Sequence, residues 1–428
     1  MTQYLNWVDL QVNGNQDDNW QTAAISSDGR VILVTVLSAT DSPTRYFLYH
    51  SNDFGQTWTY DPTLNILTGA TNCFVSQNGN VWMVYNSEGT PASYKLYIST
   101  SRGASWVYKN IGSVLDVGAI NLDGSIILTG VANPDFYTIK LLLSINTGGS
   151  WAEVEPLAGL TATWKRSVMS SDGSIILVGT DRFYSTSTST VTAGLGEKTF
   201  TTQSGLPFAN GDIIRVYADP EISPYMDGTV TSYSGTTLTI NVTAVSGSGT
   251  KSQWKIFDMN GKNYLSTNTG TTWNQLPLYL RIDDCCMNSD GTIILVIGYD
   301  YSASRRKFYK STDYGANWTN IEPVNTDWWR CAVSLNGKYM LVGAVGPAGG
   351  SGGNGRLYFS PTSGATWEEI RPAGDNDKYW MCVKIGSTRS NIARGLAPGI
   401  NAIVGVWSTG RIYMGRVPVG PFPTHFTT

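Results

Sequence analysis

Histidine is nearly missing from this chain. His50 and His425 are the only two in 428 residues, and a Ser–His–Asp triad or a His-based metal site is hard to assemble from them. His50 falls on a predicted strand, where packing at the core edge accounts for it, and His425 lies in the tail. Charge is scarce as well: Asp, Glu, Lys and Arg make up 14% of residues, well below the usual quarter or so. A net charge of −3 leaves no electrostatic footprint for nucleic acid or an anionic membrane. No apolar run approaches membrane-spanning length, and MTQYLNWVDL does not read as a signal peptide. The five cysteines contain no C-x-x-C spacing. Neighbours Cys285 and Cys286 make a poor disulfide, and all five read as buried thiols rather than a metal site. No cofactor is expected.

What is abundant is aromatic and repetitive. There are 15 Trp and 23 Tyr, and 41% of the chain is hydrophobic, ample material for a large core. One eight-residue box recurs six times: SNDFGQTW from Ser51, STSRGASW from Ser99, SINTGGSW from Ser144, STNTGTTW from Ser266, STDYGANW from Ser311 and SPTSGATW from Ser360. Before each stands an apolar run broken by Asp-Gly or Asn-Gly, as in ISSDGRVILV from Ile25, VSQNGNVWMV from Val75 and MSSDGSIILV from Met169. That dipeptide between β-branched runs predicts a tight hairpin whose two central residues tolerate positive φ. The turn glycines fall at 29, 79, 124, 173, 291 and 337, so the period is 45–50 residues except for one gap of 118.

Each period predicts four strands. In the first they are about Gln21–Ser26, Val31–Val36, Tyr46–His50 and a fourth starting near Trp58, here called a to d. Four-stranded units at this period read as propeller blades. A further blade is expected from both ends of the chain: Tyr379–Lys384, Asn401–Trp407 and Arg411–Arg416 as strands a to c, with Tyr4–Gln11, carrying Trp7, as d. Closure of that kind removes the last sheet edges. The predicted fold is therefore an all-β, seven-bladed propeller closed by its N- and C-terminal strands. The long gap marks a small β insertion domain at 187–257, between strands b and c of blade four. The propeller occupies 1–186 and 258–417, and a Pro-rich tail covers 418–428.

The box, with Ser51 and Asp53 bonding a turn around Gly55 above Trp58, resembles the Asp-box (BNR) repeat of sialidases, sortilin-type receptors, xyloglucan-cleaving enzymes and a photosystem assembly factor. Its Asp has drifted to Ser101, Asn146, Asn268 and Thr362, which argues against a chemical role for that position. The sialidase arginine triad and FRIP-type motif are not found. The insertion, with FANGDIIRVY and MDGTVTSYSGTTLTINVTAV, is similar to short β modules of bacteriophage tail-fibre and baseplate proteins.

Two groups of residues are predicted at the mouth of the axial channel. One is acidic: Asp17, Asp18, Asp283, Asp284, Asp327, Asp375 and Asp377. A Asp283–Asp284 pair offers an acid or base if the two share charge, or simply a solvated rim. The other is aromatic and basic: Trp20, Trp164, Arg166, Trp328, Trp329, Arg330, Tyr379 and Trp380. Together with Asp283 these form either a binding face or a plug of packed rings. Arg389 and Arg394 sit in a long a–b loop on the opposite face. The Gly-rich stretch from Gly343 lacks the Lys-Ser/Thr and helix of a phosphate loop. The resulting reading is a non-enzymatic virion or tail-associated propeller, assembled in the host cytoplasm. Its expected partners are other virion proteins or a surface glycan, with homo-oligomers open and nucleic acid and membrane insertion excluded. The alternative is a glycan-cleaving propeller using the mouth carboxylates.

Overall fold

The computed structural model describes residues 6–12, 19–37, 46–62, 72–88, 93–112, 114–132, 139–156, 161–347, 355–374, 380–387, 400–406 and 411–416. Among them there is no α-helix; the regular structure is entirely β. Five sheets are antiparallel meanders of four consecutive strands. The first pairs Asn19–Ile25, Ile32–Leu37, Tyr46–Ser51 and Thr59–Tyr60. The second and third begin with Cys73–Val75 and Val114–Ile120; the fifth and sixth begin with Arg281–Met287 and Thr326–Val333.

Two further sheets are composite, and a third is a two-stranded ribbon of Val191–Thr192 and Thr250–Lys251. Where the sequence predicts seven blades, one closed by both chain ends and one carrying an insertion, five regular four-stranded meanders are observed. The last sheet runs Trp380–Ser387, Ile400–Val406, Ile412–Arg416 and then Asn6–Asp9, with Trp7 opposite Gly415. The fourth has nine strands, because Ile176–Ser187 is long enough to pair twice. Its first half pairs with Asn263–Ser266 and its second half with Trp254–Asp258. The first strands of successive sheets contact one another in a closed circuit, returning from Trp380–Ser387 to Asn19–Ile25. An all-β array of radial sheets around one axis is a β-propeller.

The repeated hairpin is wider than the two-residue turn read from the sequence. Ser26 and Val31 close it, Gly29 N–H donates to the Ser26 carbonyl, and Gly29 has φ 74° while Asp28 is not left-handed. The residue three before each glycine caps the turn: the Val31 amide donates to Ser26 Oγ at 2.9 Å, Val81 to Ser76 at 2.9 Å, and Ile126 to Asn121 Oδ1 at 3.0 Å. The glycine has a second duty. A Cβ on Gly124 would lie 2.4 Å from Val81 of the preceding sheet, so sheets approach as closely as they do only because this position is bare. Beside these turns a relay of backbone hydrogen bonds runs round the axis: Ser27 donates to Gln77, Asn78 to Leu122, Leu122 to Ser171, Ser171 to Ser289 and Ser289 to Leu335.

The box turns are equally uniform. Phe54 and Gly55 are both left-handed (φ 64° and 77°), as are Arg102 with Gly103 and Thr147 with Gly148. Ser51 Oγ accepts from the Gly55 amide at 2.8 Å, and Asp53 Oδ1 from Thr57 at 2.9 Å. Where Asp has been replaced the bond persists: Ser101, Asn146, Asn268 and Thr362 accept from the residue four ahead at 2.8–2.9 Å. The turn needs an acceptor, not a charge.

Candidate functional site

Six first strands carry a register shift near one level, a β-bulge just outside the channel, after Trp20, Leu115, Trp164, Ile282, Trp328 and Trp380; between Leu115 and Gly118 two residues are extra rather than one. The extra residue is Gln21, Lys165, Asp283 or Trp329, and bulges re-aim such a side chain. The next residue lines the axis: Thr22, Gly118, Arg166, Asp284, Arg330 and Cys382 all border one axial cavity of about 280 Å³. The sequence placed these residues at one level; the bulge separates them into two rings with different jobs.

The tryptophans preceding the bulge do not form an aromatic rim. Trp20, Trp164, Trp328 and Trp380 are 2%, 6%, 0% and 3% exposed, packed between neighbouring sheets. Trp380 Nε1 donates to the Gly355 carbonyl at 3.1 Å and Trp328 Nε1 to Glu322 at 2.9 Å. Burying each ring removes its large apolar surface from water, worth about 2–3 kcal/mol. These four act as wedges. Trp329, on the bulge, is half-buried and remains at the mouth, between the guanidiniums of Arg306 and Arg330 at 4.6 and 4.9 Å from its centroid.

Within the acidic group Asp283 and Asp284 have separate partners. Asp283 is 1% exposed; its Oδ1 accepts from Lys165 Nζ at 2.6 Å and its Oδ2 from Arg306 Nε at 2.9 Å. Burial alone raises such a carboxyl, but Lys165, Arg306 and Arg281 outweigh it and hold Asp283 below its ordinary value. Asp284 turns to the axis, where its Oδ2 accepts the Cys331 amide at 2.9 Å. Asp327 accepts the Arg306 amide at 2.8 Å. Arg166 reaches inward but bonds backbone, the carbonyls of Asp283 and Lys165, both at 2.9 Å. Arg330 likewise donates to the Trp329 carbonyl at 3.0 Å. Asp17, Asp18, Asp375, Asp377, Tyr379, Arg389, Arg394 and His425 lie outside the described residues. His50 is half-buried beside Trp82, and burial lowers its pKa.

All five thiols are unbridged and on first strands, with Cys73, Cys285 and Cys331 in the register of Ala23. Burial pushes Cys73 and Cys382 up to about 12, so they are unreactive at neutral pH. Among the described residues no His, Cys, Asp and Glu gather in a metal-binding group.

What the sequence did not single out is the outward face of the nine-stranded sheet. The strands Ile176–Ser187, Trp254–Asp258, Ile213–Ala218 and Tyr225–Ser234 lie side by side, with Phe183, Trp254, Ile256, Ile214, Val216 and Met226 turned into the core. Alternation sends Tyr184, Phe257, Arg215, Lys255, Tyr217 and Tyr225 to the other side. A cleft of about 420 Å³ opens there, bordered by Thr163 and Asp181 of the ring and by the loop at Asp219–Ile222. Underneath, Lys262 (1% exposed) is held between two carboxylates, its Nζ 2.8 Å from Asp212 and 3.2 Å from Asp258. Burial pushes the Asp258 carboxyl up to about 6, with Asp212 adding to it and Lys262 opposing.

No protein-family model matches this chain, and no curated protein matches it. Solved structures do. The β-propeller domain of the Trilobed protease from Pyrococcus furiosus superposes with a TM-score of 0.52 at 9% identity, covering 95% of this chain and 100% of that one. YCF48 from Cyanidioschyzon merolae gives 0.47 at 10% identity over 95% and 98% of the two chains. The GH74 enzyme of Niastella koreensis gives 0.30 at 13% identity over 90% and 70%. At 9% identity the likeness to the Pyrococcus propeller concerns the fold alone: this chain is a β-propeller.

Proposed function

We propose that the chain is a non-enzymatic recognition and assembly propeller with its working surface on the inserted sheet. The observation that carries this reading is the state of Asp283. A glycosidase acid must hold a proton near neutral pH, and this carboxylate is pinned between Lys165 and Arg306 and held ionised. The mouth is thus an ion-paired closure of the ring.

We read the five meanders and two composite sheets as seven blades, built on Asp-box turns and closed by the terminal strands, with 187–257 as an inserted β module in blade four. The circuit of first strands and the six box turns support that count. A virion or tail-associated setting, with assembly in the host cytoplasm, is supported by the insertion's likeness to phage tail modules and by five thiols left unpaired. Partners in that setting are neighbouring virion proteins, further copies of the chain, or a surface glycan.

The test is a polysaccharide-cleavage assay on the full chain, with Asp283→Asn and Asp284→Asn in parallel. The reading predicts no new reducing ends from any substrate. Product release that either substitution abolishes, in a variant that stays folded, would replace it with the hydrolase reading.

A further inference from the structure

We infer that the outward face of the inserted sheet is a binding site for a neutral saccharide, a proposal that rests on the recognition reading above. Four rings are laid out on one surface by strand register. Tyr184 is opposite Phe257, Phe257 opposite Arg215, and Tyr217 is opposite both Lys255 and Tyr225. Tyr184 and Phe257 lie 5.4 Å apart and tilted by 37°, Phe257 and Tyr217 5.7 Å apart at 82°, and Tyr217 and Tyr225 5.7 Å apart at 52°. The rings are half-buried, and Tyr184, Tyr217 and Phe257 border the cleft. Apolar C–H faces of a pyranose ring stack on such surfaces, while a sheet scaffold keeps the rings from rotating away.

Charge selects among the ligands that aromatic faces accept. The carboxylates at the cleft are each ion-paired already: Asp181 to Lys165 and Arg281 at 3.5 and 3.4 Å, Asp219 to Lys255 at 3.2 Å, and Glu221 to Lys251 at 2.6 Å. Arg215 forks onto Asp227 at 2.6 and 2.7 Å while covering Tyr225 at 4.9 Å. The face is therefore locally electroneutral. It attracts neither a polyanion, such as nucleic acid or a sulfated glycan, nor a free cation. Paired carboxylates keep spare lone pairs that accept hydroxyl donors. Flat apolar rings edged by hydrogen-bond acceptors, with no net charge, match an uncharged polyhydroxylated ring. The cleft of about 420 Å³ lies within the range of about 300–1,000 Å³ common to small-ligand pockets.

The experiment is calorimetric titration of the full chain with neutral oligosaccharides of glucose, xylose, mannose and N-acetylglucosamine. A sialylated glycan, a sulfated glycan and a Lys-rich peptide serve as comparators. The expected result is saturable binding to a neutral member that changes less than about twofold between low and high salt. Tyr217→Ala and Tyr184→Ala each weaken it about tenfold or more, while Tyr217→Phe, which keeps the ring, stays within about threefold. Tightest binding to a charged comparator, still lost in Tyr217→Ala, would overturn the saccharide assignment and leave recognition at this face standing. Silence of the whole panel to about 10 mM, or binding indifferent to both tyrosines in folded variants, would overturn the site itself.

Discussion

Lys165 Nζ lies 2.6 Å from Asp283 Oδ1, joining the bulge residues of two adjacent first strands that are 118 positions apart in the chain. With Arg306 on the other carboxylate oxygen at 2.9 Å, the pair stitches the fourth sheet to the fifth. The carboxylate read from the sequence as an acid or base, or as part of a solvated rim, is instead buried in an ion pair across two sheets.

Asp283→Asn should destabilise the ring by about 3 kcal/mol, since it leaves two cations facing a buried amide. Because the folded-state pKa is depressed, the stabilisation is present above about pH 4 and is lost as pH falls below that. Thermal melts across pH 2.5–7 should show an acid limb in the wild type that is flattened in the variant. An unchanged midpoint at pH 7 would mean the pair contributes nothing.

Asp258 predicts the opposite slope. Its carboxyl is pushed up to about 6, above the ordinary value, so its contribution is complete below about pH 4 and is lost as pH rises through 6. Asp258→Asn should remove that loss and leave the protein as stable as wild type, or about 1 kcal/mol more stable, at pH 7.5. Asp212→Asn should be destabilising, because it takes away the better-placed partner of Lys262, 2.8 Å away. Chemical denaturation at pH 4.5 and 7.5 reads both.

The box turns should tolerate chemistry and reject shape. Asn146→Asp keeps the acceptor and should shift stability by less than about 0.5 kcal/mol. Gly103→Ala should cost about 2–3 kcal/mol: its φ is 85°, and the new methyl would sit 2.5 Å from Trp82. Denaturant midpoints of the two variants should differ accordingly.

Excising the insertion depends on where the cut is made. Removing 187–257 leaves Phe183–Thr186 without the partner strand it has in Trp254–Asp258, and leaves Lys262 buried without Asp212. That deletion should aggregate. Removing 181–262 and bridging Thr180 to Asn263 with a short turn preserves the Ile176–Gly179 pairing with Asn263–Ser266 and should give a soluble β protein. Size-exclusion chromatography and circular dichroism distinguish the outcomes; equal behaviour of both deletions would contradict this account of the junction.

Much of the ring was legible because the repeat writes its own turns. Gly29 and Gly55 mark positions that only a left-handed backbone can occupy, and Asn19–Ile25 and Ile32–Leu37 fall within two residues of the strands read from pattern. The candidate site was harder. Aligning on the hairpin put Trp328 and Trp329 at one level, but the bulge between Trp328 and Arg330 buries the first and leaves the second half-buried at the mouth. Alternation gives no warning of an extra residue. The tyrosine face was missed for a different reason: Tyr184, Tyr217 and Phe257 are distant in sequence and meet only because Trp254–Asp258 pairs with Ile176–Ser187 on one side and Ile213–Ala218 on the other, contacts the repeat does not encode.

The most direct measurement compares wild type, Trp329→Ala and Tyr217→Ala on one glycan array. If recognition belongs to the inserted sheet, Trp329→Ala keeps the wild-type pattern and Tyr217→Ala erases it. Loss in Trp329→Ala with retention in Tyr217→Ala would return the site to the channel mouth and contradict the account.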